Sequence, residues 1–181
     1  MREAVIVSTA RTPIGKAFRG AFNDTQAQEM AGHAIAEAVK RSKVSKEEID
    51  DVIIGAAGQQ GSQQGNIARQ SLLRAGLPVS VAGMSLDRQC ASGMMAIATA
   101  AKEITEDGMT ITVGGGVESV SLVRNENFRM DRARDPWLEE NIPSLYMTMI
   151  ETAENVAKRY GISRESQDEY SLQSQMRTAK A

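Results

Sequence analysis

Short apolar runs alternate with longer stretches of helical periodicity through most of this chain. The runs predict four strands, at residues 4–7, 51–54, 81–86 and 109–113, with helices between them. A β-α-β-α-β-α-β order is typical of an α/β fold with right-handed crossovers and a mainly parallel sheet. Because active groups in such folds lie at the carboxyl ends of the strands, function is expected in the strand-to-helix turns.

Two predicted helices differ in how much of their surface is apolar. The first, at residues 26–40, has one apolar face and is expected to lie on the sheet. The helix that starts near Cys90 has almost no polar face before Lys102, so we expect burial on nearly all sides. Such burial needs a layer beyond the single sheet, which indicates that a partner layer is missing from this chain.

The pattern changes after the third predicted helix and its strand. Residues 117–145 form a polar stretch of mixed charge with several arginines, which predicts a long loop. Helical periodicity returns at residues 151–160 and again after Ser163, where Ser163 and Glu165 are typical of a helix start.

Composition and charge exclude several classes of partner and site. The 181 residues carry a formal charge of -2 and have a pI of about 5.6, which argues against nucleic acid or an acidic membrane surface as a partner. A single cysteine excludes an internal disulfide and a multi-cysteine metal site, and fits a reducing, intracellular setting. We therefore expect no metal site. The apolar run at the amino terminus is too short for a signal sequence or a membrane span, so we also expect no membrane association.

Cys90 is the strongest candidate for chemistry. It lies where an apolar strand turns into an apolar helix, and the positive end of the helix dipole there favours the nucleophilic thiolate. Small neighbours such as Ala91 and Gly93 would let a substrate carbonyl approach, and backbone N–H groups there are candidate oxyanion donors. The alternative is a buried structural cysteine, which composition alone would favour.

The other motifs in the sequence do not indicate a nucleotide-binding or catalytic site. The glycines at residues 55–61 lack the spacing of a dinucleotide fingerprint, and Gly15-Lys16 lacks the earlier glycine of a phosphate-binding loop. The three glycines at residues 114–116 are interpreted as a tight turn at a strand end. His33, the only histidine, faces away from the apolar side of its helix and is expected to be exposed.

Several motifs together resemble the thiolase family. The segment around Cys90, Asp-Arg-Gln-Cys-Ala-Ser-Gly-Met-Met-Ala-Ile at residues 87–97, is similar to the segment around that family's acyl-forming cysteine. Four further segments follow in the family's order: 11–16 (RTPIGK), 65–70 (GNIARQ), 114–119 (GGGVES), and 152–157 (TAENVA) followed by 160–163 (YGIS). The resemblance spans essentially the whole chain.

The resemblance implies a thiolase-like layered α/β fold of which this chain holds the amino-terminal part. Residues 1–117 would form the half-domain that carries Cys90, and residues 118–181 the start of the substrate-covering loop domain. The second half-domain is expected to be absent, together with the family's Asn motif, His motif and second cysteine. The chain alone is therefore expected to be inactive.

The resemblance also implies an acyltransferase that forms an acyl-cysteine at Cys90. Its substrates would be acyl-CoA and coenzyme A, with no bound cofactor, and it would be a cytoplasmic homodimer or homotetramer. Met149 matches a residue that lines the family's acyl pocket, although a methionine there is also ordinary core. Thr148 replaces a histidine of short-chain biosynthetic members, and Asp87 stands where the family often has Asn. These two departures leave the acyl chain length open.

Two other functions remain open from the sequence. One is a ketoacyl synthase that acts on carrier-protein thioesters, which the context of Cys90 and the Thr-Ala-Glu-Asn segment disfavour. The other is a non-catalytic thiolase-like module that binds lipid or coenzyme A.

Overall fold

The computed structural model describes residues 2–181, which form two compact units. The first unit ends at Phe128 and the second begins at Arg129. The family-based domain boundary after residue 117 stays a prediction.

Helices and strands alternate in the first unit. In chain order they are α1 (Ala27–Ser42), β1 (Asp51–Gly55), α2 (Ile67–Arg74), β2 (Ala82–Leu86), α3 (Ser92–Thr105), β3 (Thr112–Gly116) and the short α4 (Val120–Val123). The sheet order is β2-β1-β3, and both pairings are parallel, with Asp51 opposite Ala82 and Thr112. The predicted α/β class with a parallel sheet is confirmed.

The central strand β1 divides the core into two layers. All five of its residues are buried, and successive side chains point to opposite faces. Val52 and Ile54 pack in the larger core with residues of α1 and α2, whereas Ile53 packs with Ala96 and Ala100 of α3. The sheet therefore has helices on both faces.

Strand β3 begins three residues later than the sequence indicated. It runs through Gly114, Gly115 and Gly116, which we had interpreted as a turn. The reason is packing, since a Cβ placed on Gly114 would lie 2.8 Å from the Cα of Ile97 in α3. Gly114 lets the helix backbone approach the strand, so the interpretation as a turn is wrong.

The predicted first strand is wrong for this structure. Residues 4–7 belong to no strand of the sheet, and Val5, Ile6 and Val7 are 71%, 78% and 69% exposed. A cavity of about 1500 Å³ is lined by this segment together with residues of α1, α3 and β3. An apolar run forms a strand only when a neighbour supplies backbone partners, and none of the described residues does so here.

Helix α3 is buried on one face only, which corrects the prediction of burial on nearly all sides. Ala96 and Ala100 face the sheet, whereas Met94 and Ile97 are 78% and 47% exposed. The exposed face is apolar, and no described residue covers it. This agrees with the expectation that a partner layer is missing.

The Gly65-Asn66 motif has a structural role between α2 and β2. Both residues have left-handed backbones, and Asn66 Oδ1 accepts the N–H of Arg69 at 3.1 Å as the cap of α2. Its Nδ2 donates to the Gly83 carbonyl at 2.8 Å, and the Ser85 hydroxyl donates to Oδ1 at 2.9 Å. One side chain therefore ties the start of the helix to the next strand.

The second unit is helical. It contains α5 (Pro136–Asn141), α6 (Met149–Tyr160) and α7 (Arg164–Lys180), with a 3-10 turn at Pro143–Tyr146. Ser163 caps α7 by accepting the N–H of Ser166 at 3.2 Å, which confirms the predicted helix start. No helix among residues 2–181 combines the length and apolar character needed to cross a bilayer.

Two buried carboxyl groups belong to β1 and α3. Asp51 is 9% and Glu103 is 8% exposed, and Glu103 Oε2 has no hydrogen-bond partner among the described residues. Burial raises the pKa of both groups, and the neighbouring charges of Asp51 and Asp107 raise the pKa of Glu103 further. Each group therefore stabilises the fold most while it is protonated, below its unfolded pKa. That contribution is lost as the pH rises through the raised folded pKa.

We expect Glu103→Gln to increase the free energy of unfolding at neutral pH by about 1 kcal/mol, because the amide cannot ionise. The difference from the unsubstituted chain should grow as the pH rises from about 4, where unfolded Glu begins to ionise. This difference in the free energy of unfolding is measured by urea denaturation, monitored by circular dichroism at several pH values. Glu106→Gln, an exposed carboxyl at the same helix end, is the control. A pH-independent difference would contradict the account.

Candidate functional site

The candidate site lies at the carboxyl ends of the three parallel strands. Strands β1 and β3 end at Gly55 and Gly116, and β2 ends at Leu86. The chain then passes through a turn of five residues, Asp87 to Ala91, before α3 begins at Ser92. We call residues 87–92 the cysteine turn, since Cys90 lies within it.

Asp87 sets the first half of the cysteine turn. Its Oδ1 accepts the N–H of Gln89 at 2.7 Å, the side-chain-to-backbone pattern that makes aspartate and asparagine common in turns. Gln89 has φ of 49°, a left-handed conformation that is uncommon for residues other than glycine. The hydrogen bond from its N–H helps to hold this conformation.

Ser92 closes the second half of the turn. Its buried hydroxyl accepts the N–H of Arg88 at 2.8 Å and donates to the Gln89 carbonyl at 2.6 Å. The N–H groups of Ala91 and Ser92 donate to the carbonyls of Arg88 and Gln89, both at 3.1 Å. These two N–H groups are thus engaged inside the turn and are not donors for an oxyanion.

Cys90 is an exposed free thiol at the amino-terminal end of α3. The alternative of a buried structural cysteine is therefore wrong. The position combines access for a substrate with the positive end of a 14-residue helix, which favours an anion. Cys90 also borders the cavity described above.

Two glycines at the strand ends, Gly55 and Gly116, let the start of α3 approach. A Cβ on Gly55 would lie 2.2 Å from both the carbonyl carbon and the oxygen of Ser92. A Cβ on Gly116 would lie 2.9 Å from the Cα of Gly93. Atoms cannot approach so closely, so the position of the cysteine turn depends on these glycines.

Sequence reasoning missed a polar network at the same edge of the sheet, formed by the loops after β1 and β3. Glu118, two residues after β3, accepts the N–H of Ala57 at 2.8 Å and of Gly58 at 3.3 Å. It also accepts Nε2 of Gln63 at 2.6 Å, and Gln63 is fully buried. The network joins the loops that follow β1 and β3. Its signal in the sequence was a carboxylate directly after a strand, at the edge where functional groups were expected.

Met149 is the first residue of α6 in the second unit, and its side chain is 79% exposed. Thr148 caps the helix, since its Oγ1 accepts the N–H of Glu151 at 3.2 Å while its own N–H donates to Glu151 Oε2 at 2.8 Å. The Thr148 hydroxyl also donates to Glu151 Oε2 at 2.9 Å, and the two hydrogen bonds that Thr148 donates to this carboxylate lower the pKa of Glu151. The cap fixes where α6 starts, and the role of Met149 stays a prediction.

Other candidate groups have local explanations. His33 is exposed on α1, as the sequence indicated. Arg129 pairs with Asp131 at 2.7 Å and Arg134 with Glu139 at 3.0 Å, both on the surface. Within residues 2–181, His, Cys, Asp and Glu side chains nowhere gather in a group of three suited to a metal ion.

Comparison with known proteins identifies the family to which this chain is related. Residues 4–181 match the family model described as the N-terminal domain of thiolase. The chain is 40% identical to 3-ketoacyl-CoA thiolase of Bacillus subtilis, an alignment that covers 100% of this chain and 46% of that protein. It is 38% identical to acetyl-CoA acetyltransferase of Cupriavidus necator, over 100% of this chain and 48% of the relative.

A solved structure gives the same result for the fold. The crystal structure of Bacillus anthracis acetyl-CoA acetyltransferase superposes with a TM-score of 0.77 at 37% identity, covering 95% of this chain and 45% of that one. The chain therefore spans about half the length of the relatives that it matches.

We expect Gly55→Ala to destabilise the chain by about 3 kcal/mol, because the new methyl group must displace the backbone of Ser92. Gly115→Ala is the matched control, since its Cβ would meet only Ile54 Cδ1 at 3.8 Å. We expect that control to change stability by less than about 0.5 kcal/mol. Denaturant midpoints of the two variants test this, and equal midpoints would contradict the packing argument.

Proposed function

The chain belongs to the thiolase family, and we propose that the whole protein transfers acyl groups between coenzyme A thioesters through a covalent intermediate on Cys90. The observation that carries this proposal is the exposed Cys90 thiol in a hydrogen-bonded turn at the amino terminus of α3. A nucleophile held in this way needs little reorganisation before it attacks.

In the condensing direction the Cys90 thiolate attacks the carbonyl carbon of an acyl-CoA. A new carbon–sulfur bond forms, the bond to coenzyme A breaks, and coenzyme A leaves with a proton. A second acetyl-CoA, deprotonated at its α-carbon, then attacks the cysteine thioester, which forms the carbon–carbon bond and releases Cys90. The covalent intermediate divides a difficult step into two easier ones.

In the degradative direction Cys90 attacks the keto carbon of a 3-ketoacyl-CoA. The carbon–carbon bond breaks, and acetyl-CoA leaves after its α-carbon takes a proton. Free coenzyme A then accepts the acyl group from Cys90. Both directions use the same thioester, and both need a group that gives and takes protons.

That acid–base group is not supplied by the residues of this chain. Cys90 is the only cysteine, and the only histidine, His33, is exposed on α1. We therefore place the base in the remaining half of the protein, which the relatives' length implies. The chain as given is proposed to be inactive alone.

The remaining proposals rest on the family. We propose that the whole protein is a cytoplasmic homodimer or homotetramer, acts in fatty acid metabolism, requires no bound cofactor, and takes acyl-CoA and coenzyme A as substrates. Residues 118–181 would begin the substrate-covering domain. Acyl chain length and preferred direction are not assigned.

The first test is acyl-enzyme formation on the full-length protein. Incubation with acetyl-CoA, followed by intact-mass and peptide mass spectrometry, is expected to place one acetyl group on Cys90. Cys90→Ala should lose that adduct, because the proposed thioester forms on the Cys90 sulfur. Gly115→Ala, which leaves the cysteine turn intact, should keep it.

Three results would overturn the assignment. An acetyl adduct that persists in Cys90→Ala would place the nucleophile elsewhere. Turnover that requires a carrier-protein thioester, with none from acyl-CoA, would favour a ketoacyl synthase. Binding of acyl-CoA with no covalent adduct would favour a non-catalytic module.

Met149 is proposed to line the acyl pocket. In the full-length protein Met149→Ala should enlarge that pocket and shift kcat/KM toward longer or branched acyl groups by about tenfold relative to acetyl. Met176→Ala, an exposed methionine of α7, is the control. Steady-state kinetics with acyl-CoA substrates of several lengths measure the shift. An unchanged preference would remove Met149 from the pocket.

A further inference from the structure

We propose that Glu118 is a positioning residue for Cys90 and acts through the loop that follows β1. Its carboxylate fixes the backbone at Ala57 and Gly58. The residues directly before that backbone hold both ends of the cysteine turn. This role rests on the function proposed above for Cys90, and it extends the effect of the polar network from the two loops to the nucleophile.

Glu118 holds the loop after β1 with both of its carboxylate oxygens. Oε2 accepts the N–H of Ala57 at 2.8 Å, while Oε1 accepts the N–H of Gly58 at 3.3 Å and Nε2 of Gln63 at 2.6 Å. The fully buried Gln63 secures this arrangement, since its Nε2 also donates to the Gly58 carbonyl at 2.8 Å and its Oε1 accepts the N–H of Ser119. These hydrogen bonds tie the loop to the residues that follow β3.

The two residues directly before Ala57 contact the cysteine turn at both of its ends. The N–H of Ala56 donates to the Leu86 carbonyl at 3.0 Å, directly before the turn begins. Gly55 packs against the carbonyl of Ser92, where the turn ends and α3 begins. A shift of this backbone would therefore move the supports on either side of the thiol.

The hydrogen bonds of Glu118 require a carboxylate. Each of them comes from an N–H donor, and a carboxylate accepts at both oxygens, whereas an amide accepts at one end and donates at the other. In Glu118→Gln the amide nitrogen would face an N–H of Ala57 or of Gln63, whichever way the side chain is turned. That variant keeps the size of the side chain and loses part of its hold on the loop.

Asp50 offers a matched control at the opposite end of β1. Its Oδ2 accepts the N–H of Thr110 at 2.7 Å and of Ile111 at 3.2 Å, so this exposed carboxylate also joins the segments next to β1 and β3. Because the strands are parallel, it lies at the amino edge of the sheet, away from the cysteine turn. Asp50→Ala removes an acceptor of two backbone N–H groups and changes no contact of the loop after β1.

Hydrogen–deuterium exchange of the full-length protein measures how firmly the turn is held. In Glu118→Gln the amides of residues 87–93 are expected to exchange about tenfold faster, because a lost hydrogen bond makes local opening easier. In Asp50→Ala the faster exchange is expected around Thr110 and Ile111, with residues 87–93 unchanged. Circular dichroism establishes that each variant is folded before rates are compared.

The rate of acetyl transfer from acetyl-CoA to Cys90 measures whether this support matters for the reaction. In a single turnover at saturating acetyl-CoA, Glu118→Gln is expected to react about tenfold more slowly, since a misplaced nucleophile attacks less often. A loss of folded protein alone would reduce the fraction that is acetylated and leave the rate unchanged. Asp50→Ala is expected to keep the rate of the unsubstituted protein.

Three results would contradict the role of Glu118. They are unchanged exchange at residues 87–93 in Glu118→Gln, an equal increase there in Asp50→Ala, and an acetylation rate in Glu118→Gln equal to that of the unsubstituted protein. If Glu118→Gln does not fold, Glu118→Asp replaces it. This variant keeps both acceptor oxygens on a side chain one methylene shorter, and its expected changes are about threefold.

Failure of the proposed function has a different signature. If the unsubstituted protein gains no acetyl group on Cys90, that function is rejected. Exchange at residues 87–93 uses no acyl-CoA, so it still decides whether Glu118 holds the turn. Normal acetylation of the unsubstituted protein, with unchanged exchange in Glu118→Gln, would retain the function and reject the role of Glu118.

Discussion

Only hydrogen fits where Gly55 meets the first residues of α3. The carbonyl of Ser92 occupies the space that a side chain at position 55 would need, and the Cα of Gly93 crowds position 116 in a similar way. This contact joins the ends of β1 and β3 to the start of the helix that follows β2. Backbone packing therefore sets how far Cys90 lies from the sheet, independently of the hydrogen bonds in the cysteine turn. The turn then only has to orient a thiol that is already in place.

Local pattern predicted the elements whose partners lie within this chain. β1 was found because its apolar run is buried, as is typical of a central strand in a parallel sheet. β2 was found from its largely apolar pattern, although none of its five residues is buried. The sequence pattern places β3 three residues too early. Glycines normally end a strand, but in β3 they continue it, because they let the backbone of α3 approach closely. The run at residues 4–7 has a strand's pattern but no pairing. Strand formation depends on a distant neighbour, which a local pattern does not reveal.

The candidate functional site, like the fold, could be predicted only in part from the sequence. Cys90 was found because a strand-to-helix position and a family motif coincide at one residue. The network of Glu118 and Gln63 was missed because it joins residues 55 positions apart through hydrogen bonds that no spacing rule indicates. The exposed apolar faces of α3 and of residues 5–7 have a related cause. They carry the composition of buried surfaces, and the chain spans only about half the length of its relatives.

The carboxyl end of α3 carries a different constraint from its start. Glu103 is buried there, and its Oε2 has no hydrogen-bond partner among the described residues. Burial and the neighbouring negative charges of Asp51 and Asp107 raise the pKa of this carboxyl, so the stability that it contributes is lost as the pH rises. At the start of α3, by contrast, backbone packing and the hydrogen bonds of Asp87 and Ser92 hold an exposed thiol in place. One end of the helix therefore positions a candidate nucleophile, while the other makes the stability of the fold depend on pH.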